Sequence, residues 1–142
     1  MKQTIIITHA SYAKGIYEAI QFIVGSMENV HIISSFTENI HPEKDFIDLL
    51  NSFDSNDKVV VLTDLKGGSV NQFVAKHLAE RDFHLITGVN LGTAIEVMVL
   101  NEDDINDERL RAVVQAGKND LTYMNDEIDN LNSKGQNEDF FE

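Results

Sequence analysis

The chain has 142 residues, 42% of them apolar, a single proline, no cysteine and a formal net charge of −13. That length supports one compact domain with a real core and not two, and the absence of cysteine excludes disulfides, thiolate nucleophiles and cysteine-built zinc sites. The negative charge would repel nucleic-acid phosphates and anionic membranes, and no apolar run reaches the length of a signal-peptide core or a membrane span, so a cytoplasmic protein without a nucleic-acid partner is expected.

Taken in order, Lys2 to Thr8 reads as the first strand, because three consecutive isoleucines are β-branched and apolar on both faces, as in a central parallel strand covered by helices. From Tyr12 to Val24 the apolar positions recur at helical spacing, with Ser11 as the expected cap and Gly25 as the stop. Val30 to Phe36 is a second strand. His41-Pro42-Glu43 opens a second helix whose buried stripe is Phe46, Leu49, Leu50 and Phe53. Val59 to Leu62 again lacks polar alternation and predicts another central strand. Asp64-Leu65-Lys66-Gly67-Gly68-Ser69 then forms a glycine-bearing loop, with Ser69 capping a helix through Val70, Phe73, Val74, His77 and Leu78.

Phe83 to Thr87 predicts a fourth strand, followed by Gly88-Val89-Asn90-Leu91-Gly92 and a short helix through Ala94, Ile95, Met98 and Val99. A further helix spans about Asp107 to Gln115, with Gly117 ending it, and Leu121 to Met124 predicts a short edge strand. Asp126 to Glu142 holds six acids and one lysine, the composition of an acidic tail expected to be disordered. Residues 1–125 are thus the expected domain and 126–142 the tail. Strands alternating with helices predict an α/β fold, a doubly wound, mainly parallel four-stranded sheet of order 2-1-3-4 with helices on both faces. In that order the winding reverses between the first and third strands, and ligands bind at such switch points, beyond the carboxyl ends of the strands.

His9 and Asp64 fall at that place. A carboxylate accepting from Nδ1 of His9 would fix the tautomer and leave the Nε2 lone pair as a nucleophile, while stabilising positive charge on the ring. Gly67 and Gly68 allow a tight turn and a close approach to a ligand, and Ser69 adds a hydroxyl donor at a helix start, where backbone N–H groups favour anions. A histidine nucleophile beside a phosphate-shaped cradle suggests phosphoryl transfer. There is no Gly-Lys-Ser or Gly-Lys-Thr phosphate loop and no dinucleotide fingerprint, so no cofactor is expected and another phosphoprotein is the plausible donor.

The combination of Thr8-His9, Asp64-Leu65-Lys66-Gly67-Gly68-Ser69 and Gly88-Val89-Asn90 resembles the enzyme IIA domain of mannose-family sugar phosphotransferase systems, over about Met1 to Asn125. The resemblance implies that His9 is phosphorylated, that Asp64 orients it, and that Gly68 and Ser69 contact the phosphoryl group. It implies HPr as donor and a histidine of a separate enzyme IIB as acceptor, with the membrane involved only through the IIC/IID permease. It also implies a homodimer in which the last strand, here Leu121 to Met124, is exchanged. Ala10, Val70 and Leu91 depart from the glycine, proline and other residues that many relatives carry there. Two alternatives share the fold or the crevice: a subunit feeding dihydroxyacetone kinase, which the complete Gly-Gly-Ser disfavours, and a non-catalytic module binding an anion or a partner. His31, His41, His77 and His84 lack comparable company, and Glu102-Asp103-Asp104 lacks the glycine and ligand rhythm of a calcium loop, so no metal site is expected. Lys66 is a further candidate to hold phosphate.

Overall fold

The computed structural model describes residues 1–134. Four strands, β1 (Lys2–His9), β2 (Val30–Ser35), β3 (Lys58–Leu62) and β4 (His84–Ile86), pair in the order β2-β1-β3-β4. Every pairing is parallel. Ile6 lies opposite Ile32 on β2 and Leu62 on β3, and β1 continues past the end of β3 to place His9 opposite Ser35.

Helices α1 (Tyr12–Val24), α4 (Leu91–Val99) and α5 (Asp107–Asp120) cover one face of the sheet, and α2 (Pro42–Ser52) and α3 (Ser69–Ala75) cover the other. The isoleucine run is divided between them: Ile6 joins Ile16, Ile20, Leu62 and Val97, while Ile5 and Ile7 join Phe46, Val61, Val70 and Val74. All three isoleucines are fully buried, each contributing about 1.5–3 kcal/mol relative to an exposed side chain. This two-sided burial makes β1 the axis of the fold.

Lys2 ties the start of that axis to the end of α4, donating from Nζ to the carbonyls of Val97 (3.1 Å), Met98 (2.7 Å) and Leu100 (2.6 Å). Of these, the Val97 carbonyl also accepts from the N–H of Leu100 at 3.3 Å, and a cation is the favoured group at a helix carboxyl end, where carbonyls lack i+4 partners. Burial pushes the Lys2 ammonium below its ordinary pKa.

Several elements differ from the sequence expectation. The helix after the glycine loop ends at Ala75 and continues as a 3-10 turn over Lys76–Ala79. Ser11 makes no side-chain cap bond; Thr8 Oγ1, buried one turn earlier, accepts from the N–H of Ala13 at 2.7 Å. Gly117 does not stop α5 but lies within it, buried, where an added Cβ would overlap the Thr93 hydroxyl of α4. Its function is close helix approach.

Leu121 to Met124 forms no strand. Leu121, Thr122 and Tyr123 are irregular, and Met124–Ser133 forms a helix, α6, with Ile128 and Leu131 half-buried. The expected disorder of the tail therefore does not hold for Asp126 to Ser133, where apolar residues at positions 124, 128 and 131 give a helical stripe within an acidic segment; residues 135–142 lie outside the described residues.

Gly117→Ala should lower stability by about 1–3 kcal/mol, the usual cost of overpacking, and a urea midpoint equal to wild type would contradict the close α4–α5 contact.

Candidate functional site

The site is built at the carboxyl ends of β1 and β3, the two neighbours between which the winding reverses. The Asp64 carboxylate clasps His9 twice through one oxygen: Oδ2 accepts from the backbone N–H of His9 at 2.9 Å and lies 2.9 Å from Nδ1. Its other oxygen, Oδ1, accepts from the N–H of Leu65 at 3.0 Å. Burial pushes the Asp64 carboxyl up, but the His9 backbone N–H, the ring N–H and the attraction to the ring outweigh it and hold the group below its ordinary value of 3.8. An ionised carboxylate only accepts, so Nδ1 carries a proton, and in the neutral ring Nε2 presents its lone pair. Ser69 Oγ, 3.1 Å from Nε2, then acts as donor.

The ring is positioned on its remaining sides by a backbone and an aromatic. A Cβ added at Gly68 would lie 3.4 Å from His9 Cε1 and 3.2 Å from Leu65 Cβ, so a side chain there would crowd the imidazole. Phe36 stands on another side, with ring centroids 5.9 Å apart and planes inclined by 39°. The His9 side chain is 38% exposed and that of Asp64 only 10%. The imidazole is thus accessible while the carboxylate beside it is not.

Of the residues anticipated for the site, His9, Asp64, Gly68 and Ser69 converge. Gly67 does not touch the ring. Its φ of 79° makes the turn, and its carbonyl accepts from Gln72 Nε2 at 2.8 Å, which pins the loop. Ser69 is the first residue of α3 and Gly68 its cap residue, so the serine hydroxyl is released from capping and reaches His9. Lys14 and Lys76 pair with Glu38 and Glu43, at 3.4 and 2.7 Å. Lys66 is exposed on the loop.

Phe36 is the residue that sequence reading overlooked, for an aromatic at a strand end carries no signal of the φ of 70° that turns it toward His9. Ala10, directly after His9, also has a left-handed φ of 49°. Strained backbone at both flanks of one side chain is a pattern found where geometry serves function.

The other histidines have structural surroundings. His31 Nε2 lies 2.9 Å from Gln3 Oε1, and burial pushes its pKa below the ordinary value. His77 lies between Glu43 and Glu80, His84 faces Asp107 at 3.7 Å, and His41 precedes α2. Among the described residues, no three histidine, aspartate or glutamate side chains are grouped to hold a metal ion.

A family model described as the fructose IIA component of the phosphotransferase system, EIIA-man, matches residues 3–114. The chain belongs to this family. Its members are phosphotransferase components of sugar transport, and the sheet order 2-1-3-4 is the fold of the solved IIA structures. A Klebsiella pneumoniae protein assigned to the phosphoenolpyruvate-dependent sugar phosphotransferase system superposes with a TM-score of 0.82 at 25% identity, over 89% of this chain and 93% of that one. The mannose/sorbose-specific IIA subunit of Enterococcus faecalis gives 0.76 at 26% identity, over 87% and 95%. The IIA protein associated with the fucose utilization operon of Streptococcus pneumoniae gives 0.76 at 22% identity, over 89% and 96%, a likeness of fold. No helix among the described residues is long and apolar enough to cross a membrane.

Two predictions follow from the strain and the charge at the IIA site. Left-handed backbone costs an L-residue about 1–2 kcal/mol, partly offset by the greater unfolded freedom of glycine, so Ala10→Gly should raise stability by up to about 1 kcal/mol. A lower urea midpoint would contradict it. For Asp64, the unfolded carboxyl at its ordinary 3.8 takes up a proton before the folded one as pH falls. Its stabilisation is full above that unfolded value and is lost as pH drops through the lower folded value. Between pH 6 and pH 3 the wild type should therefore lose more stability than Asp64→Asn, and equal losses in denaturant titrations would refute the ionised pairing.

Proposed function

We propose that this protein is a phosphocarrier of a sugar phosphotransferase system, taking a phosphoryl group from phospho-HPr onto His9 and passing it to a histidine of enzyme IIB. The observation that carries this reading is the division of the imidazole: Nδ1 committed to Asp64, Nε2 left facing an exposed hydroxyl donor.

In the transfer, the Nε2 lone pair forms a bond to phosphorus as the bond from phosphorus to the donor's ring nitrogen breaks, and that nitrogen regains its electron pair. The proton on Nδ1 stays where it is. The ring becomes cationic while the phosphoryl group is attached, and Asp64 compensates that charge from 2.9 Å. The Ser69 hydroxyl, which donates to Nε2 in the free protein, turns to a phosphoryl oxygen once that lone pair is used. Gly68 leaves the space beside Cε1 that the incoming group crosses, and the N–H groups at the start of α3 add positive potential. The same steps in reverse deliver the group to IIB.

The chain serves the cytoplasmic side of uptake and meets the membrane only through the IIC/IID permease. Homodimerisation fits the outer edge of β4, which has no strand beside it among the described residues, together with Leu121 and Tyr123, 93% and 68% exposed.

Incubation with phosphoenolpyruvate, enzyme I and HPr, read by intact mass, should add one acid-labile phosphate to the wild type and none to His9→Ala. Ser69→Ala should be phosphorylated roughly tenfold to a hundredfold more slowly, the effect of losing one charge-assisted hydrogen bond. Phosphate retained on His9→Ala would refute the carrier reading, and an unmodified wild type would favour the anion- or partner-binding module.

A further inference from the structure

We propose that Thr8 is a positioning residue for phosphoryl transfer, its buried hydroxyl clamping the peptide that follows His9 and so holding Nε2 on the line of attack. This rests on the carrier reading and adds a residue that acts through His9 rather than on the phosphoryl group.

Along a strand, neighbouring side chains go to opposite faces. Ile6 packs on the α1 face and Ile5 and Ile7 on the α3 face, so Thr8 turns toward α1 while His9 turns toward Ser69 of α3. Only Ala10 and Ser11 separate the end of β1 from the first residue of α1. The N–H groups that open a helix have no partner within it, and the Ser11 side chain caps none of them. Thr8, fully buried, fills that role from the strand: its Oγ1 accepts from the N–H of Ala13 at 2.7 Å and donates its own proton to the His9 carbonyl at 3.3 Å. One hydroxyl thus joins the start of α1 to the backbone of the nucleophilic residue.

His9 is bracketed by two held peptides. In the one before it, the His9 N–H donates to Asp64 Oδ2 at 2.9 Å. In the one after it, the carbonyl accepts from Thr8 and the N–H of Ala10 donates to the Ser35 carbonyl at 3.0 Å. With Nδ1 on the same Asp64 oxygen, backbone and ring share a single bearing. The left-handed φ of 49° at Ala10 lies inside the span that Thr8 bridges, and strained backbone persists only where its surroundings over-determine it.

The bearing matters because an in-line displacement depends steeply on the aim of the attacking atom, and a ring 38% exposed has solvent to swing into once it is released. A valine at position 8 has the shape of threonine, yet it leaves the Ala13 N–H and the His9 carbonyl without their shared partner. A serine keeps the hydroxyl and gives up only a methyl group. If Thr8 served α1 alone, losing the hydroxyl would lower stability and leave the folded molecules reacting at the normal rate. As a positioning residue it controls the rate of the loaded complex itself.

The test is single-turnover transfer from phospho-HPr at increasing donor concentration, on wild type, Thr8→Val, Thr8→Ser and Gly117→Ala. At saturating donor Thr8→Val should transfer about tenfold to a hundredfold more slowly, the scale of a misaimed reacting group, with the half-saturating concentration little changed. Thr8→Ser should recover most of the rate, and Gly117→Ala, destabilised away from the site, should keep the wild-type rate. Nitrogen NMR of labelled histidine should show a smaller share of the His9 ring protonated at Nδ1 in Thr8→Val. Thr8→Cys, similar in size to threonine and a weak acceptor, should be slowed likewise and carries the comparison if the valine variant does not fold. A wild-type saturating rate in the folded valine or cysteine variant, or a serine variant as slow as they are, would overturn the positioning role and leave the carrier reading intact. Absence of transfer to the wild type would overturn the carrier reading, and this proposal with it.

Discussion

The pairing of Asp64 with His9 is the interaction on which the remaining architecture depends. It requires a carboxylate and an imidazole from segments 55 residues apart to meet within 2.9 Å. Only the adjacency of β1 and β3 brings them together, and only the reversal of winding there leaves the crevice above them unobstructed. The buried isoleucines fix the first condition by making β1 central, and the right-handed crossovers fix the second.

The charge on Asp64 survives its burial because the same residue it orients also solvates it. The backbone N–H of His9 and the ring N–H bind a single carboxylate oxygen, so loss of either would weaken both the pairing and the local turn. Around this pair the chain tolerates unfavourable backbone at Ala10 and Phe36. These two abut His9 or its ring, whereas the third residue with a left-handed φ, Asn29, lies before β2, away from the pair.

Much of this was legible in the sequence because parallel strands buried on both faces announce themselves as unbroken β-branched runs, and loops at their carboxyl ends carry the site. Lys2 to Thr8, Val59 to Leu62 and the Asp64–Ser69 loop were therefore identifiable from residue type alone. Features set by approach in space were not. A glycine near a helix end reads as a terminator, yet Gly117 continues α5 and lacks a side chain because Thr93 occupies that room. Ser11 looks like the cap of α1, but Thr8 supplies the bond across the turn made by Ala10. The helix Met124–Ser133 was masked by acidic, asparagine-rich composition, and residues 121–124 looked like a strand because local propensity has no knowledge of what lies beside them. Nothing in the sequence distinguishes Phe36, since a left-handed aromatic is set by the Asn39 hydrogen bonds rather than by its own preference.

The central claim is that Asp64 holds the proton on Nδ1 and reserves Nε2 for phosphorus. Long-range proton–nitrogen correlation on protein with isotope-labelled histidine, recorded before and after phosphorylation, tests it most directly. The free protein should show the His9 ring protonated at Nδ1 and bare at Nε2, and the phosphorylated protein should show phosphorus coupled to Nε2. A free ring protonated at Nε2, or phosphorus on Nδ1, would contradict the account.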